Sequence, residues 1–353
     1  MAEERNVLDL QSQIRAWQAT TALVYTMSLH CAVELGIPDI VDEAPATPLP
    51  VSRIAAALHS TGPPPDSSVL HRLMRFLAHK GVFAECVDPT RGEPAYAPTP
   101  ISRWFSRRSE LSLASVVLLQ KWGFQASPWH DLAERVVLCR GGSKHGKRDM
   151  WEMTAAEPEY SAAFNAAMVG MSSIAMRAVT AVYKGGGFEG IRTVVDVGGG
   201  TGAVLKAITE LCPSVCGINF DLPHVVAAAP ECPRVEHVGG SMFDGIPAGD
   251  AIFMKLVLHC FDDEGCLRIL KNCQKALQQK SGKLIIVEAV LGADEDDSLE
   301  DMKKTFDMMM LAYTGGKERT EAEWRKLLRS GGFPRCNIIR LPSFHSIIEA
   351  FAE

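Results

Sequence analysis

Apolar side chains recur at three- and four-residue spacing through T-T-A-L-V-Y-T-M-S-L-H-C-A-V-E-L-G-I, which predicts a helix from Gln11 to about Glu43. Gly36, Pro38 and the segment A-P-A-T-P-L-P bring it to an end. A short helix over 51–58 follows, then the turn T-G-P-P-P-D-S-S and a longer helix, V-L-H-R-L-M-R-F-L-A-H-K, with Ser67 or Ser68 as the expected N-cap. Gly81 closes that helix, and two short runs, V-F-A-E and A-Y-A-P, read as paired strands. Helix, turn, helix and two-strand wing is the layout of a winged helix. Its second helix is mostly apolar, and Arg72, Arg75, His79 and Lys80 are divided between faces, so a packing or dimerisation module is expected rather than a DNA reader.

Beyond Thr193 the texture changes. Strands are expected at 193–197, 215–220, 235–238, 251–256 and 283–290, with helices near 202–211, 263–278 and 321–330 and a final strand pair near 336–350. Such alternation predicts an α/β fold: a Rossmann-like, doubly wound parallel sheet covered by helices on both faces, with its ligand beyond the carboxyl ends of the strands. The expected division is 1–115 for the helical module and 116–353 for the second domain, the latter split into a helical linker at 116–190 and the α/β core at 191–353.

Composition narrows the class. With 353 residues, 47% of them hydrophobic and 22% charged, the chain is long enough for two packed domains. The start, M-A-E-E-R-N, has no apolar signal-peptide core, and Glu288 interrupts the apolar run over 284–291, so a soluble cytoplasmic protein with no membrane partner is expected. Ten cysteines are scattered without a C-x-x-C pair or a clustered metal-ligand set, which argues for reduced thiols and against zinc or a disulfide framework. A net charge of −6 gives no general reason to bind nucleic acid. The basic runs at 103–108 and 144–148 and the acidic run at 294–301 read as solvated surface.

The chemistry begins at T-V-V-D-V-G-G-G-T-G (193–202), where an apolar strand runs into glycines, and continues at Asp221, which ends G-I-N-F-D. Bare backbone after a strand admits a ligand closely, and a carboxylate at the neighbouring strand end accepts hydrogen bonds from ribose hydroxyls, so a nucleoside cofactor is expected. Gly198, Gly200 and Ala203 also satisfy the relaxed dinucleotide pattern, with Asp221 near the spacing of a NAD site, so the glycine run by itself leaves two cofactor classes open.

Further along, M-S-L-H-C-A-V-E-L-G-I-P-D-I, G-I-N-F-D-L-P-H-V, V-E-H-V-G-G-S-M-F, L-H-C-F-D-D-E with I-L-K-N-C, and G-G-K-E-R-T accompany the glycine loop. Together they resemble the plant O-methyltransferases of the caffeic acid and flavonoid type, over nearly the whole chain. The resemblance displaces the NAD reading and implies S-adenosylmethionine as cofactor, S-adenosylhomocysteine as product, no metal, and a homodimer joined through the first domain. By position it implies that Gly198 and Gly200 approach the methionine part of the cofactor, that Asp221 meets the ribose hydroxyls, that Ser241, Met242 and Phe243 meet the adenine, and that Leu222 is also cofactor-binding. Lys255 and Ser172 match residues near the cofactor. His259 matches the catalytic base, and Glu288 and Glu318 match its flanking carboxylates.

The residue types suit the reaction. A sulfonium methyl is already activated, so the protein has to align an oxygen with it and remove a proton. A phenol near pKa ~10 facing a histidine near ~6.5 transfers its proton uphill by about 5 kcal/mol, so deprotonation must accompany methyl transfer. A carboxylate on the far ring nitrogen fixes the tautomer and stabilises the imidazolium, a role open to Glu318 or Glu288. A carboxylate at position 288 inside L-I-I-V-E-A-V-L also needs a partner.

Two positions depart from the family pattern. Cys260 and Phe261 follow His259 where Asp and Trp are usual, and Ser241 replaces the acidic residue that contacts the adenine amino group, with Asp244 nearby. Losing that charged acceptor weakens cofactor binding by ~1–3 kcal/mol. The acceptor is expected to be a small planar aromatic hydroxyl compound clamped by Trp151, Met168, Met309 and Met310, since thioethers pack adaptably on rings. Flavonoid, phenylpropanoid, stilbene and benzylisoquinoline acceptors stay open, as do a non-methylating enzyme on the same fold and a noncatalytic dimer partner.

Overall fold

The computed structural model describes residues 2–43, 47–58, 65–138, 150–183, 186–277, 282–292 and 296–352. Cys139, the basic run at 144–148, most of the proline turn at 61–65 and the start of the acidic run lie outside the described residues. The chain forms two compact units, Met1–Lys121 and Trp122–Glu353. The first reaches beyond the expected limit at residue 115 because helix Ala114–Leu119 buries Ala114 and Val117 in its core.

In the first unit the expected N-terminal helix is three helices, Ala2–Thr20, Ala22–Glu34 and Ile37–Asp42. The hydroxyls of Thr20 and Thr21 both donate to the carbonyl of Trp17, at 2.9 and 2.8 Å, and compete with the backbone ladder at the first break. Gly36, at φ +72°, makes the second. The cap of helix Ser67–His79 is Asp66, not Ser67 or Ser68: its carboxylate accepts from the amides of Ser68 and Val69, where an anion also suits the helix dipole. Strands β1 (Leu49–Pro50), β2 (Phe83–Val87) and β3 (Pro94–Pro98) form an antiparallel sheet in the order β1-β3-β2. Leu70, Met74 and Leu77 pack beside Phe83 and Tyr96 in the core. Leu10, Ile14, Trp17, Leu23, Val24 and Met27 stay exposed on the first two helices.

The second unit is built on β4 (Thr193–Val197), β5 (Cys216–Asp221), β6 (Val235–Gly239), β7 (Ala251–Lys255), β8 (Lys283–Leu291), β9 (Arg319–Thr320), β10 (Arg335–Arg340) and β11 (His345–Phe351). The order is β10-β11-β8-β7-β4-β5-β6; β4 to β8 are parallel, β10 and β11 antiparallel, and β9 adds to β8. Val195, Ile252, Met254 and Ile286 pack against helices Asp263–Ala276 and Glu321–Ser330. On the other face Val194, Phe253, Ile285 and Val287 meet helices Pro158–Tyr183 and Ala203–Leu211. Each fully buried aliphatic side chain contributes about 1.5–3 kcal/mol, so the strands are fixed from both sides. Pro158–Tyr183 is long and apolar enough to cross a membrane, yet here it buries Met176, Val179 and Tyr183 in that core. The chain leaves β4 toward β5 and β6 and returns to β7 on its other side, so the crevice opens at the carboxyl end of β4.

Candidate active site

The loop after β4 puts Gly198, Gly200 and Gly202 at φ +70°, +59° and +89°. A Cβ on Gly199 would lie 2.2 Å from Asn219 Oδ1 and 2.6 Å from Asp196 Oδ2, whereas one on Gly200 would meet nothing within 4 Å. The loop is therefore closed on its strand side and open at Gly200. The Gly200 amide donates to Asp221 Oδ2 and the Leu222 amide to Asp221 Oδ1, each at 2.7 Å. Burial pushes the Asp221 carboxyl up and those two amides oppose it. Each oxygen keeps a lone pair for a hydroxyl. An open glycine beside an oriented carboxylate fits the ribose end of a nucleoside.

Met242 packs into the core below the loop, and its carbonyl accepts from Asn272 Nδ2 at 2.9 Å. The Phe243 ring lies edge-on to Phe261 at 5.2 Å and under the Arg268 guanidinium at 4.8 Å. Ser241 Oγ accepts from the Phe243 amide at 3.3 Å, so part of its capacity goes to its own turn; Asp244 is exposed on that turn.

Lys255 ends β7, buried, with burial pushing its ammonium down and Asp196 and Glu288 pushing back. Asp196 is pushed up to about 8, by burial first. Ser172 is buried one helical turn after Met168.

The histidine site is a docking of two loops. After Leu256, held at φ +54°, the chain turns through Leu258–Cys260, and Glu288 Oε1 accepts from the amides of Val257 and Leu258 at 2.9 Å and of His259 at 3.4 Å. The Lys317 amide donates to the His259 carbonyl at 2.9 Å. A Cβ on Gly316 would lie 1.9 Å from that carbonyl oxygen, which is why glycine precedes K-E-R. The docking carries Glu318, only 2% exposed, to the ring: Oε1 lies 2.7 Å from His259 Nδ1, while Glu288 Oε2 is 3.5 Å away. The two glutamates, interchangeable in sequence, divide the work. Glu318 bonds the imidazole and Glu288 clamps the turn. Burial opposes a charge on His259, but Glu288 foremost, then Cys260 and Glu318, hold it well above the usual histidine range.

His259, Glu288 and Glu318 bring ligand-type atoms within 4.8 Å of one another, a set that their separation in sequence concealed. The 2.7 Å contact between His259 Nδ1 and Glu318 Oε1 is a hydrogen-bond distance, and Glu288 Oε1 takes the amides of the turn while its Oε2 is buried without a hydrogen-bond partner.

Of the expected acceptor residues, Trp151 stands edge-on to Phe164 at 6.3 Å, Met168 and Met309 are half-buried and Met310 is buried. Sequence reading missed several polar anchors. Asn219 donates to the Gly200 carbonyl at 2.9 Å and lies 3.0 Å from His237 Nδ1, bracing the loop from below. Arg319, fully buried, reaches Leu258, Phe261 and Asp263 and latches the histidine turn. Trp129 Nε1 donates to Tyr313 Oη at 3.3 Å. The polar residue within the apolar run G-I-N-F-D was the available signal for Asn219; Trp129 carried none.

Fold and site together define a doubly wound enzyme with a nucleoside crevice beside a buried histidine–carboxylate pair. The O-methyltransferase domain family matches residues 129–334, and the O-methyltransferase dimerisation domain matches 17–108. The chain is 42% identical to (R,S)-reticuline 7-O-methyltransferase of Papaver somniferum, covering 100% of this chain and 99% of that one. It is 40% identical to desmethylxanthohumol 6'-O-methyltransferase of Humulus lupulus, covering 97% and 99%. Its fold matches human N-acetylserotonin methyltransferase in complex with SAM at a TM-score of 0.83, covering 97% of each chain at 22% identity. The chain belongs to the O-methyltransferase family and is an S-adenosylmethionine-dependent enzyme of it.

Proposed function

We propose that this enzyme methylates a hydroxyl of a small planar aromatic metabolite with His259 as general base, and that it does so without a metal. The observation that carries the reading is the 2.7 Å contact between His259 Nδ1 and Glu318. It fixes the tautomer with Nδ1–H and leaves Nε2 to take the acceptor's proton. Raising His259 above its usual range narrows the uphill gap from a phenol, so the carboxylates strengthen the base as well as orient it. S-adenosylmethionine, when bound, supplies an activated methyl. Gly198 and Gly200 would approach its methionine part, Asp221 its ribose, and Ser241, Met242 and Phe243 its adenine, with Leu222, Lys255 and Ser172 also near the cofactor, while Trp151, Met168, Met309 and Met310 clamp the acceptor ring. The relatives that act on reticuline and on desmethylxanthohumol support a phenolic alkaloid or a polyphenol as acceptor.

The exposed apolar residues Leu10, Ile14, Trp17, Leu23 and Val24, with the dimerisation-domain match, support a homodimer through the first unit. Nine free cysteines among the described residues support a reducing, cytoplasmic setting. The test is calorimetric titration with S-adenosylhomocysteine, then labelled-methyl transfer to caffeic acid, naringenin, resveratrol and reticuline by wild type and His259→Ala. Binding with transfer that collapses in the variant is expected. Binding without transfer to any phenol would overturn the acceptor class, and transfer undiminished in the variant would overturn the base.

A further inference from the structure

Asn219 and His237 are register partners on the parallel strands β5 and β6, on the face covered by the glycine loop and the start of helix Ala203–Leu211. A Cβ on Gly202 would lie 3.1 Å from His237 Cε1 and 3.8 Å from Asn219 Nδ2, so the ring packs directly under the end of the loop. β6 is the outermost strand of the sheet, and the imidazole on it is half-buried. A titratable ring therefore stands between the sheet edge and the loop that opens at Gly200.

The donors and acceptors around that ring can be assigned from their chemistry. The Gly200 carbonyl only accepts, so Asn219 Nδ2 spends one hydrogen on it, at 2.9 Å, and has its other for His237 Nδ1 at 3.0 Å. Nδ1 must then be bare. The Pro230 carbonyl also only accepts, so His237 Nε2, 3.0 Å away, must carry the ring's proton. The neighbours thus demand a neutral imidazole in one tautomer. A second proton would go to Nδ1 and set N–H against N–H. Relief comes either by withdrawing the ring from beneath Gly202 or by turning the amide nitrogen away from the Gly200 carbonyl, and both release the residue whose own amide is bonded to Asp221.

We propose that His237, acting through Asn219, is a positioning residue for the cofactor loop: the neutral ring holds Gly200 in place for the nucleoside and the protonated ring releases it, so that cofactor affinity falls in acid. The assignment rests on the S-adenosylmethionine reading of the crevice. Both ring nitrogens meet neutral groups. The ionisable groups on the elements around them are Asp196 on β4, Asp221 on β5, His224 on the short helix Pro223–Val226, Lys206 on helix Ala203–Leu211, and the exposed Glu231 and Glu236. Asp196, pushed up to about 8 by burial, keeps its proton throughout the acid range and supplies no change there. An imidazole at the sheet edge titrates within it.

The test measures binding, so it does not depend on turnover. The full-length protein is titrated calorimetrically with S-adenosylhomocysteine at about pH 7 and about pH 5, on either side of an ordinary histidine, with folding at both checked by circular dichroism. The wild type should bind about tenfold more weakly in acid, the scale of one hydrogen bond. His237→Asn sets an amide oxygen that does not titrate near the Nδ1 position, and Asn219→Ala cuts the link to Gly200; in each the two affinities should agree within about twofold. The ratio is taken within one protein, so a variant that binds more weakly at both pH values still reports. A wild-type affinity that does not change with pH overturns the proposal. So does an acid loss that persists undiminished in His237→Asn, which would assign it to Asp221, or in Asn219→Ala, which would deny the route through the amide. Failure to bind S-adenosylhomocysteine at either pH would instead count against the cofactor assignment.

Discussion

The proposed cofactor side and the proposed acceptor side of this crevice are built on different principles. Gly200, Asp221 and the His259 turn are tied by directional bonds to the backbone: Asp221 takes two amides and Glu288 takes three. Trp151, Met168, Met309 and Met310 are placed by side-chain packing, which tolerates exchange. A site of the first kind is sensitive to one atom. A site of the second kind can change its ligand without losing its fold.

That contrast orders the expected effects. His259→Ala should lower kcat by about 10³-fold, within the range of general-base removal, with S-adenosylhomocysteine affinity retained by calorimetry; a loss under tenfold would deny His259 its role. Gly316→Ala should lower kcat roughly 100-fold by displacing Glu318 from the ring, and should destabilise the fold by about 1–3 kcal/mol, read as a fall in melting temperature. Asp221→Asn should weaken S-adenosylhomocysteine binding roughly 10- to 100-fold while leaving the melting temperature of the unliganded protein nearly unchanged.

Glu318→Gln sharpens the comparison through pH. The base must be neutral to accept a proton, and the carboxylates hold His259 above its ordinary value, so the wild-type rate should fall as pH drops through a limb lying above ~6.5. Removing one carboxylate lets burial weigh more, and the limb should move to lower pH as the maximal rate falls. A limb that stays in place would assign the shift to Glu288 alone. Met309→Leu should be the mildest change, shifting relative kcat/KM among acceptors by less than about tenfold at near-constant stability.

The same division explains what could be read in advance. Glu288 was legible because a carboxylate inside an apolar strand demands partners, and Asp221 because it ends a strand beside a glycine loop. Glu318 sits in a charged loop and gained its place only through family resemblance; what buries it is the contact of Gly316 with the His259 backbone, made across a long stretch of chain. The cap at Asp66 was misplaced onto its serine neighbours because three residues able to cap stand side by side, and only geometry selects among them.

The Asp307 carboxylate accepts from the Glu318 amide at 2.8 Å, so the helix that carries Met309 and Met310 is also the strut behind the histidine's partner. Evolution or an engineer wishing to admit a new acceptor has freedom along that helix only in its side chains. Sliding or lengthening it by one residue would turn Asp307 away and disarm the proposed base, so new substrate ranges should arise here by exchange of residues, seldom by insertion.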